Sequence, residues 1–156
     1  MGTCRDYEEM FSILNAYKIR YLVVGAHAVI CYTVPRYTKD MDIWIIPDMN
    51  DEEKVYAALK EFGAPLAGMT PADFAKKDII LQIGVAPVRI DIMMNVPGIS
   101  FRTAWKNRRR TVYGRTHINV LGISELIAAK KMAGRPQDGI DLKKLNKHSK
   151  NQRKKA

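Results

Sequence analysis

Arg36-Tyr37-Thr38-Lys39-Asp40-Met41-Asp42-Ile43-Trp44-Ile45-Ile46 is the stretch on which the fold turns. Its apolar second half predicts a strand over 40–46, and on a strand the side chains at i and i+2 share a face. Asp40 and Asp42 therefore converge, where one Mg2+ ion or two would find the oxygen ligands that hard cations prefer. A lone pair of this kind also suits solvated carboxylates at a sheet edge, so the surrounding sequence has to decide.

About one helix length upstream lies Tyr21-Leu22-Val23-Val24-Gly25-Ala26-His27. The run 21–24 predicts a short apolar strand, and Gly25 predicts a turn into a helix over 26–32 that stops before Val34-Pro35. At such a junction glycine lets backbone approach an anion closely, and the helix N-terminus presents unpaired N–H groups to it. Ahead of this unit, Asp6 is placed to cap a helix over 7–18 whose Tyr7, Met10, Ile13, Leu14 and Tyr17 recur at helical spacing.

Downstream, 48–62 reads as a helix with Val55, Leu59 and Phe62 inward, acids in its first turn and Gly63 at its end. Residues 63–77 are less regular, with a helical turn at 71–76. Two antiparallel strands are predicted over 79–83 and 88–93, joined through 84–87. In the second, Val88, Ile90 and Ile92 alternate with Arg89, Asp91 and Met93, which places Asp91 on a strand face. A hairpin over 110–113 and 116–121 turns at Gly114-Arg115. Ser124 then caps a helix over 125–133, Gly134-Arg135-Pro136 breaks it, and Asp138 opens a final helix.

The 156 residues, 47% hydrophobic and 27% charged, are enough for one domain with a real core. That domain is expected over 1–142, followed by a basic tail over 143–156 that is partly helical and then frayed. No apolar run approaches the roughly 20 residues that span a bilayer, and the start carries neither a signal-peptide apolar region nor a myristoylation signal. No membrane association is expected, and the cytoplasm is the expected location. Cys4 and Cys31 are too few and too isolated for a disulfide framework or a zinc site.

Net charge is +10, unevenly spread: residues 1–100 carry 10 Lys/Arg against 13 Asp/Glu, whereas 101–156 carry 16 against 3. No acid occurs from 92 to 124, while Arg102, Lys106, Arg108, Arg109, Arg110 and Arg115 gather around Trp105 and Tyr113. Basic and aromatic side chains together suit nucleic acid with exposed bases. Trp105 equally suits anchoring its own helix to the core. A polycationic small molecule is a poorer partner for so basic a third.

Taken together, Gly25-Ala26-His27-Ala28, Pro35-Arg36-Tyr37-Thr38-Lys39-Asp40-Met41-Asp42-Ile43, Asp91, and Leu126-Ile127-Ala128-Ala129-Lys130-Lys131-Met132-Ala133-Gly134-Arg135-Pro136-Gln137-Asp138 resemble the minimal nucleotidyltransferases of the polymerase-beta superfamily. The similarity covers about residues 20–142 and is greatest to the small prokaryotic group that includes toxin-type enzymes of toxin-antitoxin and abortive-infection systems. It implies an α+β nucleotidyltransferase fold, a mixed β-sheet flanked by helices. It implies transfer of a nucleoside monophosphate from an NTP such as ATP to an acceptor hydroxyl, with pyrophosphate leaving. Mg2+ (or Mn2+) would be held by Asp40, Asp42 and Asp91, with Asp91 near enough to activate the hydroxyl.

By the same resemblance, Gly25, Ala26, Thr38 and Lys130 contact the nucleotide. The family commonly has Gly-Ser or Gly-Gly where Gly25-Ala26 stands, so phosphate contact at Ala26 falls to its backbone. His27 and Arg36 suit either the nucleotide or a structural place, while Arg135 and Asp138 read as a helix-end residue and a cap. Lys131 points elsewhere, because helix neighbours are about 100° apart. The implied acceptors are an RNA or tRNA end, contacted through Arg102, Arg108, Arg109 and Arg110, a protein side chain, or a small antibiotic. A cognate antitoxin or toxin is the implied partner, and an inactive nucleic-acid-binding module on the same fold is the alternative.

Overall fold

The computed structural model describes residues 3–33, 38, 40–85 and 87–155; the side chains of residues 48 and 152–155 are not described. The expectations for Arg36 and for a helix stop at Val34-Pro35 fall outside those residues. A six-stranded mixed sheet, flanked by helices, forms the centre in the order β3-β4-β2-β1-β6-β5. Its strands are β1 (Tyr21–Val24), β2 (Asp40–Ile45), β3 (Ile80–Val85), β4 (Val88–Met93), β5 (Arg109–Tyr113) and β6 (Thr116–Val120). The helices are α1 (Arg5–Ala16), α2 (Gly25–Tyr32), α3 (Glu52–Phe62), α4 (Phe101–Lys106), α5 (Ile123–Ala133) and α6 (Pro136–Lys155).

Strand alternation sorts the chain into core and site. Met41, Ile43 and Ile45 of β2 and Ile90 and Ile92 of β4 are buried, and the parallel register sets Met41 against Ile90 and Ile43 against Ile92. The intervening Asp40, Asp42, Arg89 and Asp91 consequently share the other face. β1 pairs antiparallel with β2 and parallel with β6, and β4 carries β3 at the sheet edge. Tyr7, Met10, Phe11 and Leu14 form the buried stripe of α1, of which Phe11 was absent from the expected set.

Several helix starts differ from expectation: α2 begins at Gly25 and α6 at Pro136, ahead of Ala26 and Asp138, and in α1, α5 and α3 a tertiary contact or close approach accompanies the shift. α1 begins a residue before Asp6, with Cys4 at the cap and the Cys4 N–H donating to the Tyr113 hydroxyl at 2.6 Å; Asp6 sits in the first turn, where its charge suits the dipole. α5 is capped by Gly122 and Ser124 lies inside its first turn. A Cβ at Gly122 would come within 2.6 Å of the Asn107 carbonyl oxygen. The expected helix over 48–62 is divided: Pro47–Met49 forms a separate 3-10 turn and α3 starts at Glu52, capped by the Asp51 side chain. Asn50 causes the division. Its amide donates to the carbonyls of Arg20 and Ile46 and its oxygen accepts from the Arg20 N–H, at 2.9, 2.9 and 2.7 Å, which holds it extended.

α6 opens at Pro136, where a missing N–H is harmless, and runs as one helix through Lys155. It packs on α5 and α2, with Leu145 fully buried. Leu145→Ala should therefore cost about 2–5 kcal/mol of stability, seen as a lower urea midpoint at unchanged slope; an unshifted midpoint would mean that α6 is not part of the cooperative core.

Candidate active site

Two adjacent parallel strands bring the acids together. Asp42 on β2 stands opposite Asp91 on β4, and Asp40 stands opposite Arg89. One carboxylate oxygen from each of Asp40, Asp42 and Asp91 lies within 4.8 Å of the other two. The local spacing Asp-x-Asp converges one pair; the register of β2 with β4 adds the third.

Arg89 neutralises this cluster from within. Its Nη2 donates to Asp40 Oδ2 and to Asp91 Oδ2, each at 2.9 Å, and its Nε donates to Asp91 Oδ1 at 3.1 Å. With its amide oxygen turned toward Arg89, Gln82, the β3 residue opposite Asp91, accepts from Nη1 and Nε at 3.1 Å. Sequence reasoning placed Arg89 only on the polar side of its strand. The available signal was its position two residues before Asp91, which guarantees a shared face but names no partner.

Asp42 is strongly perturbed. Burial, then the nearby charges of Asp91 and Asp40, push it up to about 6, against the pull of Arg89 and Lys130. Gly25 is its steric neighbour: at φ 68° it occupies the left-handed region, and an added Cβ would run into the Asp42 carboxylate. The glycine at the start of α2 is thus demanded by the acid cluster itself, over and above any approach of an anion.

The cluster opens into a cavity of about 440 Å³. Gly25 lines it with Asp40, Asp42, Arg89 and Asp91, while Lys130 and Arg135 enter from the α5–α6 side and Met93, Val96 and Pro97 supply apolar wall. Lys130 is buried, its ammonium 2.9 Å from Asp138 Oδ1 and 3.2 Å from Asp141 Oδ2. Asp138 also accepts from the Arg135 side chain at 2.7 Å and the Arg135 N–H at 3.1 Å, the reach-back of an acid in a first helical turn. Burial alone would raise Asp138, but hydrogen bonds from Arg135 and Lys130 outweigh it and hold the carboxyl down at about 2. Asp138 is therefore more than the cap expected of it, and Asp141, which the sequence did not single out, is fully buried.

The remaining expected contacts are scattered. Ala26 and Thr38 are half-buried and do not line the cavity; Lys131 is exposed. His27 packs against the Tyr7 ring at nearly a right angle, centroids 5.5 Å apart. Trp105 stacks on Phe101 beside the core, and the Arg108 guanidinium lies 3.9 Å above its ring, so this ring is engaged within the protein. Arg109 donates to the Cys31 carbonyl and covers Tyr32. Arg102 and Arg110 are exposed.

A family model described as "Nucleotidyl transferase of unknown function (DUF2204)" matches residues 3–155. The chain belongs to this nucleotidyltransferase family. No curated protein sequence matches it significantly. Among solved structures, the chain is similar to LnuA, a lincosamide antibiotic adenylyltransferase determined with lincomycin bound, at TM-score 0.61 and 17% identity over 92% of this chain and 96% of that one. It is also similar to the antibiotic-resistance factor ANT(2'')-Ia at TM-score 0.62 and 8% identity, covering 94% and 82% of the two chains. The Thermotoga maritima protein TM1012 has TM-score 0.56 and 19% identity, covering 92% of each chain. At these identities the likeness is one of fold, and it spans the whole architecture of this nucleotidyltransferase.

Because its pKa is higher folded than unfolded, Asp42 binds its proton more tightly in the native state, so its ionisation weakens the fold as pH rises from about 4 to about 6. In metal-free buffer Asp42→Asn should be more stable than wild type at pH 7, by on the order of 2 kcal/mol, and the two should converge near pH 4. Urea unfolding across that range checks this; equal stabilities at pH 7 would show that the buried charge carries no penalty.

Proposed function

We propose that this nucleotidyltransferase moves a nucleoside monophosphate from an NTP to an acceptor hydroxyl, with Asp40, Asp42 and Asp91 holding Mg2+ or Mn2+. The observation that carries the reading is the approach of three carboxylate oxygens to within 4.8 Å at the mouth of a cavity. A set made only of carboxylate oxygens fits a hard divalent cation, and Asp42, whose pKa is raised by burial and then by the charges of Asp91 and Asp40, gains from a cation beside it. A cation bound there supplies charge neutralisation at the α-phosphate and at the attacking and leaving oxygens.

The chain's own residues do the rest. Gly25 admits the triphosphate to the start of α2, whose first N–H groups face the anion. Lys130 and Arg135, fixed by Asp138, place positive charge on the far side of the cavity for the departing pyrophosphate. Asp91, only 9% exposed, takes the proton of the acceptor hydroxyl as its oxygen attacks phosphorus and the bond to pyrophosphate breaks.

For the acceptor we favour an RNA end. α6 carries Lys143, Lys147 and Lys150, all exposed and all on one side of the helix, and Arg102 and Arg110 are exposed elsewhere on the same basic third. A small-molecule acceptor is the second reading, favoured by the fold shared with LnuA and ANT(2'')-Ia. The toxin-antitoxin setting implied by the resemblance would appear as growth arrest on expression of an active chain if it is the toxin, and as relief of a partner's toxicity if it is the antitoxin.

Incubation with labelled NTPs, Mg2+ and either total RNA or a panel of aminoglycosides and lincosamides should label one acceptor class. Asp42→Ala should reduce transfer by at least about 10³-fold. Label on RNA supports the first acceptor, label on an antibiotic replaces it with the second, and labelling that persists in Asp42→Ala removes the cluster from the chemistry.

A further inference from the structure

Arg89 holds oxygens of two of the three acids that a cation would need. Its fork takes Asp40 Oδ2 and both oxygens of Asp91, and this follows from the backbone: Arg89 lies across from Asp40 in the parallel pair and two residues before Asp91 on its own strand. Three carboxylates and one guanidinium leave the cluster at −2. The guanidinium is not locked in, since its side chain retains 31% exposure and lines the same cavity as Gly25, Lys130 and Arg135.

A cation arriving alone must break charge-assisted bonds and leave Arg89 without an anion. A cation arriving with a triphosphate provides one, because the displaced guanidinium finds phosphate oxygens in the cavity it already faces. We propose that Arg89 is a positioning residue that closes the metal-free carboxylate cluster and couples cation entry to nucleotide binding, passing from Asp40 and Asp91 to the triphosphate. This rests on reading the cluster as the metal site. It assigns Arg89 a role that the three acids alone do not predict: divalent ion by itself binds weakly, and nucleotide strengthens it beyond simple chelation.

The test measures Mn2+ affinity, by electron paramagnetic resonance or calorimetry, with and without a non-hydrolysable NTP analogue. Wild type is compared with Arg89→Gln and Arg89→Lys, and circular dichroism verifies folding. Arg89→Gln should bind Mn2+ alone about tenfold more tightly than wild type, the forked bonds no longer opposing entry, and the analogue should improve its affinity less than it improves that of wild type. Arg89→Lys keeps the charge but loses the fork, so it should resemble Arg89→Gln in the absence of analogue; it also carries the test if the glutamine variant fails to fold.

A lysine variant identical to wild type would reduce Arg89 to simple charge repulsion and overturn the proposal. So would an unchanged or weaker Mn2+ affinity in both variants. Absence of Mn2+ binding by wild type and by both Arg89 variants, with and without the analogue, or undiminished binding by Asp42→Asn, would instead overturn the metal-site reading on which it rests.

Discussion

Three carboxylates held within a few ångströms repel one another and resist burial, and the surrounding structure is arranged around that tension. The parallel pairing of β2 with β4 imposes it, because the register that buries Met41 and Ile43 against Ile90 and Ile92 also turns Asp42 onto Asp91. Slipping one residue would put the acids into the core and the isoleucines into solvent. The acid cluster is thus locked to the hydrophobic core, and the core supplies the free energy that keeps like charges together.

Two kinds of cation answer the acids. Arg89 touches them directly, sharing its fork between Asp40 and Asp91. Lys130 and Arg135 stand back, within electrostatic reach of Asp42 but bonded to Asp138. Buried Asp138 and Asp141 spend that second group's charge on joining α5 to α6. A buried ion pair of this type is weak evidence for stability, since desolvation opposes its attraction; what it does here is fix where positive charge enters the cavity. The basic C-terminal third accordingly serves two ends: part is engaged within the protein, as with buried Lys130 and half-buried Arg108, and part faces solvent along α6.

Glycine at 25 shows how a single residue can satisfy several demands. A positive φ at the β1–α2 junction, the start of a helix and the clearance of the Asp42 carboxylate coincide there. Locally, the glycine is explained by its freedom to approach an anion. The clearance of Asp42 arises only from the antiparallel pairing of β1 with β2, which sets Val24 opposite Asp42.

Much of the architecture was legible in the sequence. The apolar runs at 21–24 and 40–46, the alternation at 88–93 and the helical spacing in 7–17 reflect local periodicity, which burial of one face enforces wherever the segment ends up. Helix starts were less legible, because Cys4, Asn50 and Gly122 are fixed by Tyr113, Arg20 and Asn107, partners far away in the chain. By itself the sequence determined that Asp40 and Asp42 share a face, that Asp91 lies on the polar side of a strand, and that the chain ends in a basic third. Only the tertiary structure decided that these acids meet, that Arg89 bridges them and that Lys130 is taken by Asp138 and Asp141. The physical reason is that a side chain's direction is set by its own backbone, whereas its partner is set by which strands and helices the core brings together.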